Sequence, residues 1–206
     1  MILTIIDYGV GNLSSIKNML KKIGVDSIIS NKTDDLINAD KLILPGVGHF
    51  DYGIQHLHES GLMDPLNDKV LQHKTPILGI CLGVQLLTQS SEEGKEKGLG
   101  WIKGRTVAFD KPKLDGNHKI PHMGWIDIKG FENSKLFTGM YDEPRFYFVH
   151  SYHLQLDNPA DVLATANYGY NFAIGIEHEN ILGVQFHPEK SHKYGMKLLE
   201  NFVKYY

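Results

Sequence analysis

The sequence is short of cysteine, of long apolar runs and of charge of one sign, and each shortage narrows what the protein can be. Cys81 is the only cysteine in 206 residues, so no internal disulfide can form. A lone thiol is then either a buried small hydrophobe or a reactive group. No apolar run approaches the roughly 18 residues that a membrane span needs. The N-terminal MILTIIDYG reaches Asp7 with neither a basic leader nor the apolar stretch of a signal peptide, so a cytoplasmic protein is expected. Lys and Arg number 21 against 24 Asp and Glu, and the formal net charge is −3. With the cations scattered along the chain there is no basic stripe to track a phosphate backbone, and nucleic acid is not expected as a partner.

A hydrophobic content of 42% with 22% charged residues is enough to bury a substantial core. The length suits one domain spanning 1–206. Residues 2–6 (ILTII) form an apolar, β-branched run that suits a strand covered on both faces. Leu13, Ile16, Met19, Leu20 and Ile23 then recur at helical spacing before Gly24. Strands are expected at 26–30 and at 41–44, the latter running into PGVG (45–48). A helical region follows at 50–73, broken at Gly61 and Pro65, then a strand at 76–80 and a helix at 82–89. The segment 90–120 is polar and reads as solvated loops. Short strands are expected around 124–129, 146–149, 162–167, 172–177 and 181–186, with a final helix over 191–205. The alternation predicts an α/β fold of the doubly wound class: a mostly parallel central sheet with antiparallel additions and helices on both faces.

The cysteine sits in GICLGVQLL (79–87), at a strand-to-helix junction. A nucleophile on so tight a turn needs small residues two positions before and two after it, and Gly79 and Gly83 stand there. The start of the helix offers unpaired N–H groups and a positive dipole end, which favour thiolate over thiol. Such a nucleophile needs a base, and the base an orienting group. In ILGVQFHPEKS, His187 and Glu189 are two residues apart after an apolar strand, so both point to the same side. PGVG lies at a strand end, where open parallel sheets bind ligands. Its N–H groups, at Val47 and Gly48, can join that of Leu82 in holding an oxyanion. DYGVGN (7–12) lacks the third glycine of a dinucleotide fingerprint, so no nucleotide cofactor is expected. The HLH at 56–58 lacks a third ligand, so no metal is expected either.

PGVG, GICLGVQLL and HPE, in this order and spacing, resemble the triad-type (class I) glutamine amidotransferases. Within that family, DYGVGN, PHMGW (121–125), FYFVHSY (146–152) and GVQFHPEKS (183–191) resemble the glutaminase subunits of imidazole glycerol phosphate synthases. The resemblance implies that Cys81, His187 and Glu189 form a catalytic triad acting on L-glutamine. It implies that Gly46, Gln85, Ser151 and Tyr152 bind the substrate. It also implies a (β/α)8-barrel cyclase partner that takes up the ammonia, contacted by Asn12, Pro121, His122, Met123, Gly124, Trp125, Tyr147 and Lys190. Family members are expected to need a backbone reorientation near Val47, so the isolated chain should turn over slowly. Two other readings stay open in the sequence. One is a sister amidotransferase feeding another synthase, such as one amidinating a sugar nucleotide. The other is a docking subunit without catalysis, against which the presence of all three triad residues speaks.

Overall fold

The computed structural model describes residues 1–116, 118–130 and 133–206. Thirteen strands form two sheets among these residues. The first contains β1 (Leu3–Ile6), β2 (Ser27–Ser30), β3 (Lys41–Gly46), β4 (Ile77–Cys81), β12 (Gly175–His178) and β13 (Ile181–Val184), in the order β12-β13-β4-β3-β1-β2. Every pairing in it is parallel except that of β12 with β13. The second holds β5 (Ser90–Ser91), β6 (Gly104–Ala108), β7 (His122–Lys129), β8 (Arg145–His150), β9 (Tyr152–Leu156), β10 (Thr165–Tyr168) and β11 (Tyr170–Ala173), in the order β5-β6-β9-β11-β10-β7-β8. Its pairings are antiparallel apart from β5 with β6.

Strand alternation divides the core. Leu3, Ile5, Ile43, Leu78 and Ile80 point to one face of the parallel sheet, where Ile16 and Leu20 of α1 (Leu13–Lys22) meet them. Leu198, Leu199 and Phe202 of α6 (His192–Tyr205) complete that side. Ile6, Leu42, Leu44 and Ile77 point the other way, onto Leu36 of α2 (Thr33–Ile37) and Phe50, Ile54 and Leu57 of α3 (Phe50–Glu59). Leu66 of α4 (Met63–Asn67) and Leu82 and Leu86 of α5 (Leu82–Leu86) join this second cluster. Burying each such side chain is worth about 1.5–3 kcal/mol, so sandwiching the sheet is the main stabilising event.

The parallel half follows the sequence pattern closely, and the departures have local causes. Pro65 does not break a helix but lies in the first turn of α4, where its missing N–H has no intrahelical partner to lose. The break falls at Gly61, with φ +72°. After α4 the chain continues as a π-helical turn, Asp68–Gln72. The antiparallel strands do not mainly extend the parallel sheet: only β12 does, and the others build the second one. The segment 90–120 is not all loop, since β5 and β6 lie in it and β6 pairs with β9. That pairing joins Gly104 to Leu156, a separation at which no local periodicity announces a partner. The expected strand at 172–177 is two, β11 and β12, which go to different sheets across Ile174.

Phe146 of β8 stacks on Phe186, with ring centroids 3.9 Å apart and 24° between planes, and both rings are fully buried. Backbone bonds reinforce the seam between sheets: the His187 N–H donates to the Tyr147 carbonyl at 2.9 Å, and the Tyr147 N–H to Ser191 Oγ at 3.0 Å. Phe146→Ala is expected to lower unfolding stability by about 3–5 kcal/mol, read as a fall in the urea midpoint.

Candidate active site

Three adjacent parallel strands converge on Cys81. β4 ends at the cysteine, β3 lies on one side with Gly46 opposite Cys81, and β13 lies on the other with Val184 opposite Ile80. Because all three run the same way, the segments leaving β3 and β13 emerge beside the thiol. The first is Val47–Gly48 and the second is Gln185 to Glu189.

Cys81 itself has φ +55° and ψ −111°, a region that costs a residue with a side chain about 1–3 kcal/mol. The neighbouring glycines make the bend possible by removing collisions. A Cβ on Gly83 would lie 1.9 Å from the Leu44 carbonyl oxygen, and one on Gly79 would lie 2.9 Å from the Gly83 carbonyl oxygen. The helix that begins at Leu82 is a single short one of five residues.

The thiol is 7% exposed and opens into a cavity of about 710 Å³. His187 shares this wall, and its Nδ1 is 2.8 Å from Glu189 Oε1. Both side chains are almost wholly buried. Burial by itself would lower the His187 pKa, but hydrogen bonds and charge attraction from Cys81 and Glu189 override it and raise it to about 10. The imidazole therefore holds its proton at neutral pH, between a sulfur and a carboxylate. Glu189 Oε2 has no hydrogen-bond partner, so this carboxylate's one bonded oxygen is directed wholly at the ring. Ser191 Oγ closes the turn by donating to the His187 carbonyl at 2.7 Å.

The rest of the wall gathers most of the residues expected from sequence. Val47, Gly48 and Leu82 line it beside the sulfur, and Gln85, Ser151 and Tyr152 line it further along. Asn12, Pro121 and Lys190 complete the rim. Gly46 stands behind the wall: a Cβ there would lie 2.7 Å from the Tyr8 hydroxyl and 2.9 Å from Leu82 Cβ. Tyr8 is buried, with a pKa raised by desolvation and then by the nearby sulfur charge, and its neutral hydroxyl donates to the Pro45 carbonyl at 2.7 Å.

Strand alternation sorts the PHMGW segment. Met123 and Trp125 are 63% and 39% exposed, with Gly124 between them at φ +147°. Trp125 lies edge-on to Tyr147, and Lys190 Nζ sits 5.8 Å from the Tyr147 ring centre. His122 departs from the expected outer surface: at 2% exposure it points inward and meets His150, Nδ1 to Nε2, at 3.1 Å. Desolvation lowers both imidazoles, His122 to about 4 and His150 to about 3, so the pair is neutral.

Comparison with known proteins agrees with this geometry. The family profile for glutamine amidotransferase class-I matches residues 4–205. The chain belongs to the class-I glutamine amidotransferases. This amidotransferase is 55% identical over 202 residues to the imidazole glycerol phosphate synthase subunit HisH 2 of Methanococcus maripaludis, covering 98% of both chains. It is 46% identical over 202 residues to the HisH 2 subunit of Pseudomonas aeruginosa, again with 98% of each chain covered. Among solved structures it superposes on PurLQS from Thermotoga maritima with a TM-score of 0.74 at 19% identity, covering 99% of this chain and 98% of that one. A structure described as a glutamine amidotransferase gives a TM-score of 0.76 at 18% identity, over 98% and 97% of the two chains.

Three residues at or behind this cavity carry no clear mark in the sequence. Glu93 lines the cavity while accepting the Phe50 N–H at 2.8 Å, and it lay in a polar segment with no pattern. Ser191 is a buried clamp that reads as one more polar residue after the histidine. Gln185 is fully buried, with its Nε2 3.9 Å from the Cys81 sulfur. For Gln185 there was a signal, since residues 185 and 187 lie two apart in extended chain and share a side.

The sign of the His187 shift can be checked directly. In an NMR titration of the ring protons its midpoint should lie well above the ordinary 6.5. It should move down toward that value in Glu189→Gln and in Cys81→Ala, each of which removes a group that favours the imidazolium.

Proposed function

We propose that this chain is the glutaminase subunit of an imidazole glycerol phosphate synthase. It hydrolyses L-glutamine to glutamate and ammonia and passes the ammonia to a (β/α)8-barrel cyclase subunit. The observation that carries the reading is the Cys81 sulfur and the His187 imidazole in one cavity, with the Glu189 carboxylate buried behind the ring at 2.8 Å, together with full-length identity to subunits of that name.

In this reading the Cys81 sulfur attacks the carboxamide carbon of glutamine, and the carbonyl oxygen becomes an oxyanion. The N–H of Leu82 and one from Val47–Gly48 receive that charge. His187 already holds a proton, so it donates to the departing nitrogen as the tetrahedral intermediate collapses. Ammonia leaves and a γ-glutamyl thioester remains on Cys81. His187, now neutral, takes a proton from water, the hydroxide displaces the sulfur, and glutamate forms. Glu189 keeps the ring oriented and stabilises its cationic form throughout.

Charge complementarity assigns further substrate contacts. Among the described residues Glu93 is the only carboxylate lining the cavity, which suits the α-ammonium of glutamine. Ser151, Tyr152 and Gln85 supply polar contacts along the same wall. Ammonia in bulk water is mostly protonated and no longer a nucleophile, so a docked acceptor is a chemical need. The exposed Met123 and Trp125, with Tyr147, Lys190, Pro121 and Asn12 beside the cavity rim, form the face proposed for that acceptor.

Mixing the chain with a barrel cyclase subunit should give glutamine-dependent imidazole glycerol phosphate. In Cys81→Ala that activity should vanish while ammonium salts still support synthesis; glutamine-dependent product from the variant would overturn the assignment. Glu93→Gln should raise KM for glutamine about tenfold or more with a smaller change in kcat.

A further inference from the structure

The mechanism above leaves Gln185 without a task, although its side chain is fully buried and reaches the reacting atom. Its Nε2 is 3.9 Å from Cys81 Sγ, within reach of a sulfur acceptor. Its Oε1 accepts from Gln85 Nε2 at 3.0 Å, and that same Nε2 also faces the Tyr152 carbonyl at 3.4 Å. The Gln185 backbone is anchored too, its N–H donating to the Ile174 carbonyl at 2.7 Å.

The direction of these bonds follows from one group that cannot reverse. A carboxamide can turn end for end, but the Tyr152 backbone carbonyl is only an acceptor. Gln85 must therefore present its NH2 to that carbonyl. With the Gln85 NH2 placed, Gln185 must present its oxygen to Gln85, which leaves its own NH2 for the sulfur. The Tyr152 carbonyl also accepts from His150 Nδ1 at 2.8 Å, so His150 Nε2 accepts the hydrogen bond that His122 Nδ1 donates, 3.1 Å away. The polarity of every bond in this chain thus follows from the Tyr152 carbonyl, outward to the two histidines on one side and to the thiol on the other.

We infer that Gln185 is a positioning residue for the glutaminase reaction: through its carboxamide it donates to the Cys81 sulfur and, through its oxygen, fixes which end of the Gln85 amide faces the substrate. The sulfur's other neutral neighbour, the Val149 carbonyl at 4.0 Å, accepts from a thiol and repels a thiolate. The Gln185 N–H works in the opposite sense and favours the charged nucleophile. With its NH2 spent on Tyr152 and Gln185, Gln85 has its oxygen left for the cavity it lines. There it can accept from an N–H of the substrate. The inference rests on Cys81 being the nucleophile.

The test uses the full chain. In Gln185→Met, which keeps length and volume, the pH profile for alkylation of Cys81 by iodoacetamide should be displaced to higher pH, with a slowing of roughly fivefold to tenfold on its acid limb. The difference should close on the plateau of the profile. The other titratable groups, His187, Tyr8 and His150 around the sulfur and Glu93, His49, Tyr152 and Lys190 along the cavity, are common to both, so the displacement of the profile belongs to Gln185. KM for glutamine should also rise as Gln85 loses its anchor. A variant that folds but reacts at the wild-type rate at every pH, or is slowed equally at every pH, would overturn the inference. Should Gln185→Met not fold, the native chain supplies the reading. The assigned 15N resonance of the Gln185 carboxamide should shift along the pH profile of Cys81 alkylation, and a resonance that stays still would refute the contact. Glutamine hydrolysis surviving in Cys81→Ala would instead refute the nucleophile itself, so the two failures are distinguishable.

Discussion

A cysteine with φ +55° at the end of a central parallel strand is the constraint around which the site is organised. Backbone in that region is disfavoured for any residue with a Cβ, and it persists only where surrounding structure leaves no alternative. Here the surroundings are three hydrogen-bonded parallel strands and two glycines against which no side chain would fit. The strained peptide lifts the sulfur out of the sheet and aims it at the space beyond the strand ends. The same three strands then deliver the other components, since whatever follows β3 and β13 must emerge beside β4. The grouping of Cys81, His187 and Glu189 beside one cavity follows from strand order as much as from residue type.

The second sheet turns that open crevice into a cavity. β8 is tied to the His-Pro-Glu turn by the His187 to Tyr147 bond, by Ser191 and by the Phe146–Phe186 stack. Its end carries Val149, His150 and Ser151 over the thiol. Electrostatics within this enclosure is economical. One imidazole, His187, is held charged between sulfur and carboxylate. The other two at hand, His122 and His150, are neutral because burial gives them no anion to face. Desolvation acts on all three; only the presence of partners decides the outcome.

Much of this was legible in the chain because the signals were local. The apolar run 2–6, the helical stripe at 13–23 and the GICLGVQLL turn each announce themselves within about ten residues. His187 and Glu189 share a side by the period of extended chain, and two glycines flank a cysteine for a steric reason visible in the sequence. Reading failed where pairing is remote. The pairing of β6 with β9 leaves no local signal, because neither has strong alternation and they stabilise each other only once brought together across the intervening β7 and β8. The resemblance implies the partner-facing side for all of PHMGW, while strand alternation sends His122 inward and Met123 and Trp125 outward.

The sequence by itself determined the fold class and marked the tight turn at Cys81 and the shared side of His187 and Glu189, since these depend on side-chain size and on spacings of a few positions. Only the tertiary structure decided that Glu93 stands at the cavity, that the buried Gln185 reaches the Cys81 sulfur, and that His187 is charged while His122 and His150 are not. It alone divided the antiparallel strands between two sheets. The physical reason is common to all of these: burial, hydrogen-bond polarity and proton affinity are set by groups from distant parts of the chain, and those neighbours exist only after folding.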